Sequence, residues 1–524
     1  MTTTGVGVLT GCGSEGGDAT PTASGSGSGN GPLLPTYIEY TGVTPDLSST
    51  PEGALAGYFR YPDPQPRAGA EHPAAGLDSV EILYPTYQPV PLEVSENPFW
   101  QELNDRAGAS MDLLMTPAAN YDEKFQTMLA GGTLPEITVI SGTPPRLSQI
   151  LSSQFADLSE YLAGDLAAEY PSLANIPTVS WQSCVVGGVL YGVPQPRPIA
   201  GGPAMFYDEA LVNELGLDPN PTSMDDYRQL MRDATDESAG RFGCSNPERM
   251  LIHVAMMLGA PNKWRQADDG SFVSAVADER TKEALAITRS MVEDGIFPPN
   301  WVSSTYSDKR DTFTTRKAIF HPDGDAAWSL FQGQLEATVS ALPNPGPDGQ
   351  AAPHHCGNPR QGMTVIRRDL ESERIKRLLS TLDWLATPIG TLEHLFRKFG
   401  TEGSLFTWDG GIPSPVEGAT SQIMDLQYIV DGPSGLGPAI EDDVRHRYEW
   451  YAANSENLEL DASLGLYSET QAEVGGNLTA DVAAMQLDIL AGRKDIGEWD
   501  DFVTTWRANG GDAVAAELQE EASR

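Results

Sequence analysis

The chain has 524 residues, 40% apolar and 8% aromatic, which is enough to bury more than one core, so two or more lobes are expected. Its 73 acidic and 33 basic side chains leave a net charge of −40, which argues against a nucleic-acid surface and against adhesion to anionic lipid. No run of about 18 or more apolar residues offers a membrane span, and the acidity reads most simply as solubility and salt tolerance.

The first stretch, GVGVLTGCGSEGGDATPTASGSGSGNG, runs from Gly5 to Gly31. Leu9, Thr10, Gly11 and Cys12 resemble a bacterial lipobox, in which the cysteine becomes the mature N-terminus and carries a diacylglyceryl group. Cys12 is therefore the expected lipidation site, residues 1–12 the end of a lipoprotein signal, and residues 13–31 a tether of Gly and Ser. Only four residues precede the apolar run, so the precursor is expected to begin further upstream. Residues 32–78 are rich in Pro but keep Tyr37, Tyr40, Tyr58, Phe59 and Tyr61, too many large rings for a free linker. They are expected to form an irregular arm packed on the body.

From Ser79 the period changes. VEILYP predicts a buried strand, and NPFWQELNDRAG a helix capped by Asn97 with Pro98 at its first position. SMDLLMTP predicts a strand, NYDEKFQTMLAGG a helix stopped by glycine, and PEITVISG a third strand. This order implies a parallel sheet with crossover helices. Ligands in such sheets sit beyond the carboxyl ends of the strands, here residues 84–88 and Ser141 with Gly142.

A second block follows. GGVLYGVPQPRPIAGGPAMFYDEALVNELGL predicts a tight turn, extended chain and a helix. SMDDYRQLMRDAT and DERTKEALAITRSMVEDG predict amphipathic helices, with Thr222 or Ser223 as N-cap of the first and Asp225 and Asp226 in its first turn. RDTFTTRKAIFHPDGDAAWSLF returns to a strand and a helix, and helices dominate the remainder. The charged stretch EDDVRHRYEW reads as a solvated helix face.

Six of these stretches, in this order, resemble an extracellular solute-binding protein of a bacterial ABC importer, in the large branch that binds oligosaccharides. They are YDEKFQTMLAGGTLPEITVI, VVGGVLYGVP, AMFYDEALVNELGLDPNPTSMDDYRQLM, SMVEDGIFPPN, KFGTEGSLFTWDGGIP and ILAGRKDIGEWDDFVTTWRANGGDAVAAELQEE. The resemblance implies an α/β, two-lobed periplasmic-binding-protein-like fold of type II, with several hinge crossings and ligand held between the lobes. Crossings are expected near residues 191–198, 306–314 and 343–353. Lobe 1 would then hold residues 79–195 and 312–350, and lobe 2 residues 196–311 and 351–524. A calcium loop found in some relatives is not expected, because RDATDESAGRFGCS breaks the ladder of oxygen ligands.

A sugar presents flat CH faces and a rim of hydroxyls, so aromatic rings in loops and planar polar side chains are the candidate contacts. Trp328, after the glycine turn HPDGDAAW, stands where the resemblance places a stacking aromatic. Trp264, Trp301 and Trp408 are also set in loops, and Tyr84 and Tyr87 lie at the expected sheet edge. Arg197, Gln88, Ser141 and Asp409 are the polar candidates, while Trp100, Trp384 and Trp450 read as core. HHCGNP has no metal-ligand spacing, and Cys184, Cys244 and Cys356 permit at most one intramolecular bridge. No nucleophile motif or metal signature supports an enzyme. The expected activity is capture of a carbohydrate, without cofactor or catalysis, by a monomer anchored on the outer face of the cytoplasmic membrane and serving ABC permease subunits. A peptide or another small solute is the alternative ligand.

Overall fold

The structure, a computed structural model, describes residues 33–50, 53–347 and 349–523; Cys12 and the tether lie outside them. Strand β1 (Ser79–Thr86) is buried along nearly its whole length. Helix α1 (Pro98–Ala107) starts where Asn97 accepts a hydrogen bond from the Trp100 amide at 3.2 Å, and it buries Phe99, Trp100, Leu103 and Ala107. Strand β2 (Ser110–Pro117), helix α2 (Ala118–Gly131) and strand β3 (Ile137–Ser141) follow, with β1 parallel to both strands. Then come β4 (Gly192–Pro196), β5 (Pro203–Asp208), β6 (Phe242–Cys244), α3 (Pro247–Met257), α4 (Tyr306–Thr314), β7 (Ala318–Gly324) and β8 (Val339–Ala341). Strand β9 (Arg360–Ile366) and helices α5 (Glu441–Ser455) and α6 (Glu469–Leu490) complete the set used below.

Two sheets organise the chain. The first has five strands in the order β2-β1-β3-β9-β4, and the second four in the order β8-β5-β7-β6. Each carries its own core. Ile82, Leu83, Val139, Met363 and Val365 are buried in the first. Met205, Val254, Leu285 and Phe320 are buried in the second. The molecule is thus two α/β lobes.

The pairing corrects the expected division of the chain. The sequence order puts β7 and β8 in lobe 1, but they flank β5 in the second sheet. The same order puts β9 in lobe 2, but it lies between β3 and β4 in the first sheet. The physical reason is side-chain burial: Met363, Val365 and Ile366 complete the first core, while Ile319 and Phe320 complete the second. Residues 306–314 are helix α4, within the second lobe, rather than a crossing. Residues 343–353 likewise stay in that lobe, where Leu342 bonds to Met205 and Ala352 to Asn344.

Among the described residues the chain passes between lobes at residues 197–202, 357–359 and 431–440. The first two passages are tied together. The Gly357 amide donates to Gly201 O at 2.9 Å, and the Arg197 amide to Pro359 O at 2.9 Å. Asp325, just past β7, accepts from the Gly202 amide at 2.8 Å. Gly202 has φ +141°, and a Cβ there would stand 2.6 Å from His355 O, so only glycine fits.

The arm reaches both lobes. Its Thr36 and Ile38 amides bond to Gly164 O and Ala174 O of the first lobe. Its middle packs Ala54, Leu47 and Phe59 with Leu436 of the third crossing and Val444 and Tyr448 of α5. Its last part returns to the first lobe, where the Tyr61 hydroxyl donates to Thr391 O at 3.0 Å.

Candidate ligand-binding cleft

The carboxyl end of β1 turns sharply. The Thr86 hydroxyl lies 3.1 Å from Gln88 O and 3.2 Å from Asp425 Oδ2, and the Tyr87 amide donates to the same carboxylate oxygen at 3.3 Å. These bonds hold Tyr87 outward, about half exposed at 52%, with its ring 4.6 Å from that of Tyr428. The Tyr87 hydroxyl accepts from Gln361 Nε2 at 3.1 Å, and Gln361 Oε1 accepts from Arg197 Nη2. Gln195 Nε2 donates to the backbone carbonyls of Tyr428 and Ile429, which fixes the second tyrosine. Burial, followed by the nearby Asp425 charge, pushes the Tyr428 hydroxyl above its ordinary pKa. Ser141 ends β3 opposite Gly362, one residue from Gln361.

The second lobe presents a matching end. Strands β6 and β7 run parallel, so Ser245 and Asp323 leave the sheet on the same side. Asn246 caps α3 by accepting from the Glu248 and Arg249 amides at 3.1 and 3.3 Å. Arg249 Nη1 donates to Asp323 Oδ1 at 3.0 Å, and the Tyr306 hydroxyl donates to Asp323 Oδ2. The Arg249 guanidinium stands 5.1 Å over the Tyr306 ring. Behind them His321 is buried, its Nδ1 2.6 Å from Ser245 Oγ and its Nε2 3.6 Å from Asp323. Burial alone would raise the Asp323 pKa. The His321 ring 3.6 Å away, the hydrogen bond from Tyr306 and the Arg249 charge outweigh it and hold the carboxyl below its ordinary range. Burial and the Asp323 bond push the Tyr306 hydroxyl up to about 12.

Both clusters border the first crossing: Arg197 opens it, and Gly202, which closes it, bonds to Asp325 beside Asp323 and Gly324. Together they offer ring faces, charge-assisted donors and carboxylate acceptors, the set that grips a polyhydroxylated molecule. Of the residues singled out in the sequence, the structure gathers Tyr87, Gln88, Ser141 and Arg197 at this end of the first sheet.

The others are placed elsewhere. Tyr84 is fully buried inside the first sheet. Trp328 is fully buried too, with its ring edge-on to Phe206 at 5.3 Å and to Trp450 at 5.9 Å. A ring enclosed on both sides has no face for a sugar, so Trp328 is a core residue. Trp264 packs on Trp506 at 6.3 Å, and Trp301 is buried in the second core with Lys309 Nζ 5.8 Å from its ring. Trp408 and Asp409 sit on a hairpin paired with Ile412–Pro415, where Trp408 rests on Phe406 and on Tyr61 of the arm. Among the described residues no group of His, Cys, Asp and Glu is arranged to hold a metal ion. Cys184, Cys244 and Cys356 are free and buried, and burial pushes their thiols up to about 11, 12 and 12.

Sequence reasoning missed Gln361, Tyr428, Arg249, Tyr306 and Asp323. Asn246 before Pro247, and Thr305 three residues before Asp308, were legible caps that place Arg249 and Tyr306 in first turns. Nothing local marks Gln361 or Tyr428, which are brought in by the pairing of β9 and by Gln195.

Over residues 104–366 the chain matches the family model described as bacterial extracellular solute-binding protein. It is 20% identical over 478 residues to the lipoprotein LipO of Bacillus subtilis, covering 84% of this chain and 91% of that protein. It is 20% identical over 444 residues to the polygalacturonan/rhamnogalacturonan-binding protein YtcQ of Bacillus subtilis, covering 80% of this chain and 87% of that one. An HMO-binding, ABC-transporter-associated solute-binding protein of Bifidobacterium longum infantis shares the fold, with a TM-score of 0.65 at 14% identity over 85% of this chain and 99% of that chain. With half of its length matched by the family model, the chain belongs to the bacterial extracellular solute-binding proteins.

Proposed function

We propose that the protein captures a carbohydrate between its lobes and delivers it to the permease of an ABC importer, acting by binding rather than turnover. The reading rests on the paired clusters at the first crossing, with Tyr87, Tyr428, Gln361 and Arg197 on one lobe and Arg249, Tyr306 and Asp323 on the other. Exposed rings beside planar polar groups suit the alternating faces and edges of a sugar. The names of the relatives support the same class, since YtcQ and the Bifidobacterium protein are both described by glycan ligands. Work by a monomer on the outer face of the membrane, held there through Cys12, completes the proposal; among the described residues no helix is long and apolar enough to cross a membrane.

A thermal-shift panel of oligosaccharides and peptides on the full chain tests the ligand class. Stabilisation by an oligosaccharide that is lost in Tyr87→Ala and in Arg249→Gln is the expected result. A peptide that stabilises while every sugar fails would replace the reading. Anchoring has a separate test: Cys12→Ser, expressed from the complete precursor, should move the protein from membrane to medium.

A further inference from the structure

Arg197 is half-buried in the first-lobe cluster, and its Nη2 donates to the neutral Gln361. Its charge has no carboxylate partner among the described residues, although the chain carries 73 acids. The carboxylates of the two clusters have other partners. Asp323 is paired with Arg249 at 3.0 Å. Asp425 accepts from Thr86 and from the Tyr87 amide instead of reaching Arg197. A guanidinium has five N–H donors in a fixed fork that matches a carboxylate. The backbone amide of Arg197 is itself taken by Pro359 O at 2.9 Å, which fixes the root of the side chain. Beside this fork lies the exposed Tyr87 ring, tied to it through Gln361.

We infer that the ligand is an acidic sugar, with a uronate carboxylate on the Arg197 fork and the CH face of the same or the next ring on Tyr87. The inference rests on the carbohydrate reading and narrows it to one charge class. It also gives the −40 chain a reason to keep a cation unpaired at this place: an internal acid would neutralise the fork and repel the ligand.

Isothermal titration of the full chain with trigalacturonate, its methyl ester and maltotriose decides it. Trigalacturonate is expected to bind, and the ester to bind about ten-fold or more weakly, as befits loss of a charge-assisted pair. Arg197→Gln should cost the acid about ten-fold more affinity than it costs the ester, and Arg197→Lys should recover part of that difference. Equal losses for acid and ester in Arg197→Gln would make Arg197 a scaffold residue and overturn the inference. Binding of maltotriose or the ester in preference to the acid would overturn it too, yet leave the carbohydrate reading standing. Failure of all three sugars, with a peptide bound instead, would remove that reading and this inference together.

Discussion

Trp328 and Tyr87 show why exposure, more than residue type, decides which aromatic is free to meet a ligand. Trp328 is enclosed by Phe206, Phe331 and Trp450, so Trp328→Ala should cost about 3–5 kcal/mol in chemical denaturation, the range for emptying a large aromatic site. Tyr87 is exposed, and covering about 100 Å² of sugar with its ring is worth at most about 2.5 kcal/mol. Tyr87→Ala should therefore weaken binding by about ten-fold and leave the denaturation midpoint in place. Asp383 is a buried residue of another kind. It accepts from the Ser172 and Leu173 amides at 2.7 and 3.0 Å, and burial pushes its carboxyl up to about 7. The folded state therefore holds this proton more tightly than the unfolded chain. Its contribution to stability is complete below the ordinary Asp range and is lost as pH rises to about 7. Asp383→Asn keeps the acceptor and has no proton to lose, so its stability relative to the parent should rise between pH 4 and pH 7 and then level off. A difference that does not change with pH would mean that Asp383 stays ionised in the fold.

At the scale of elements, the first part of the chain was legible because its signals are local. Asn97 before Pro98 and the glycine stop after α2 each fix an end of a helix. The alternation of strand and helix from Ser79 to Ser141 then leaves a parallel sheet as the only economical arrangement. Membership of β7, β8 and β9 was not legible. Each mixes apolar with polar residues, and nothing in their composition says which of two buried sheets they complete. For the same reason part of the candidate site was missed: Gln361 and Tyr428 come to Tyr87 through long-range pairing. The hinge makes a sharper demand. Gly202 combines φ +141° with a close approach to His355 O, so Gly202→Ala must either displace the second crossing or strain the first. A loss of more than about 1 kcal/mol, with altered ligand affinity, is expected. The same change at Gly476, where a Cβ meets nothing and the residue lies inside α6, should be neutral or stabilising.

For the whole molecule, the arm is the part whose role depends on both lobes. It is fastened to the first lobe at Thr36 and Ile38 and again at Tyr61. Between these points it runs along the third crossing and α5. The Tyr58 amide donates to Leu436 O and the Leu436 amide to Ala56 O, each at 2.8 Å. The Tyr448 hydroxyl of α5 donates to Ser48 O at 2.9 Å, and the Arg445 guanidinium lies 4.7 Å over the Phe59 ring. If ligand closes the lobes, α5 moves relative to the first lobe, and these contacts lie in the moving seam. They favour the lobe arrangement in which they are made, and a ligand can act on that arrangement only through its differential affinity for the alternatives. Phe59→Ala combined with Tyr448→Phe removes the cation–π pair and the hydroxyl bond, each worth on the order of 1 kcal/mol, while leaving both sheets intact. The double variant should change the radius of the ligand-free protein in small-angle scattering and shift the ligand concentration that compacts it by a few-fold or more. Its far-ultraviolet circular dichroism should match that of the parent. An unchanged radius and an unchanged compaction midpoint would mean that the arm rides on one lobe and takes no part in closure.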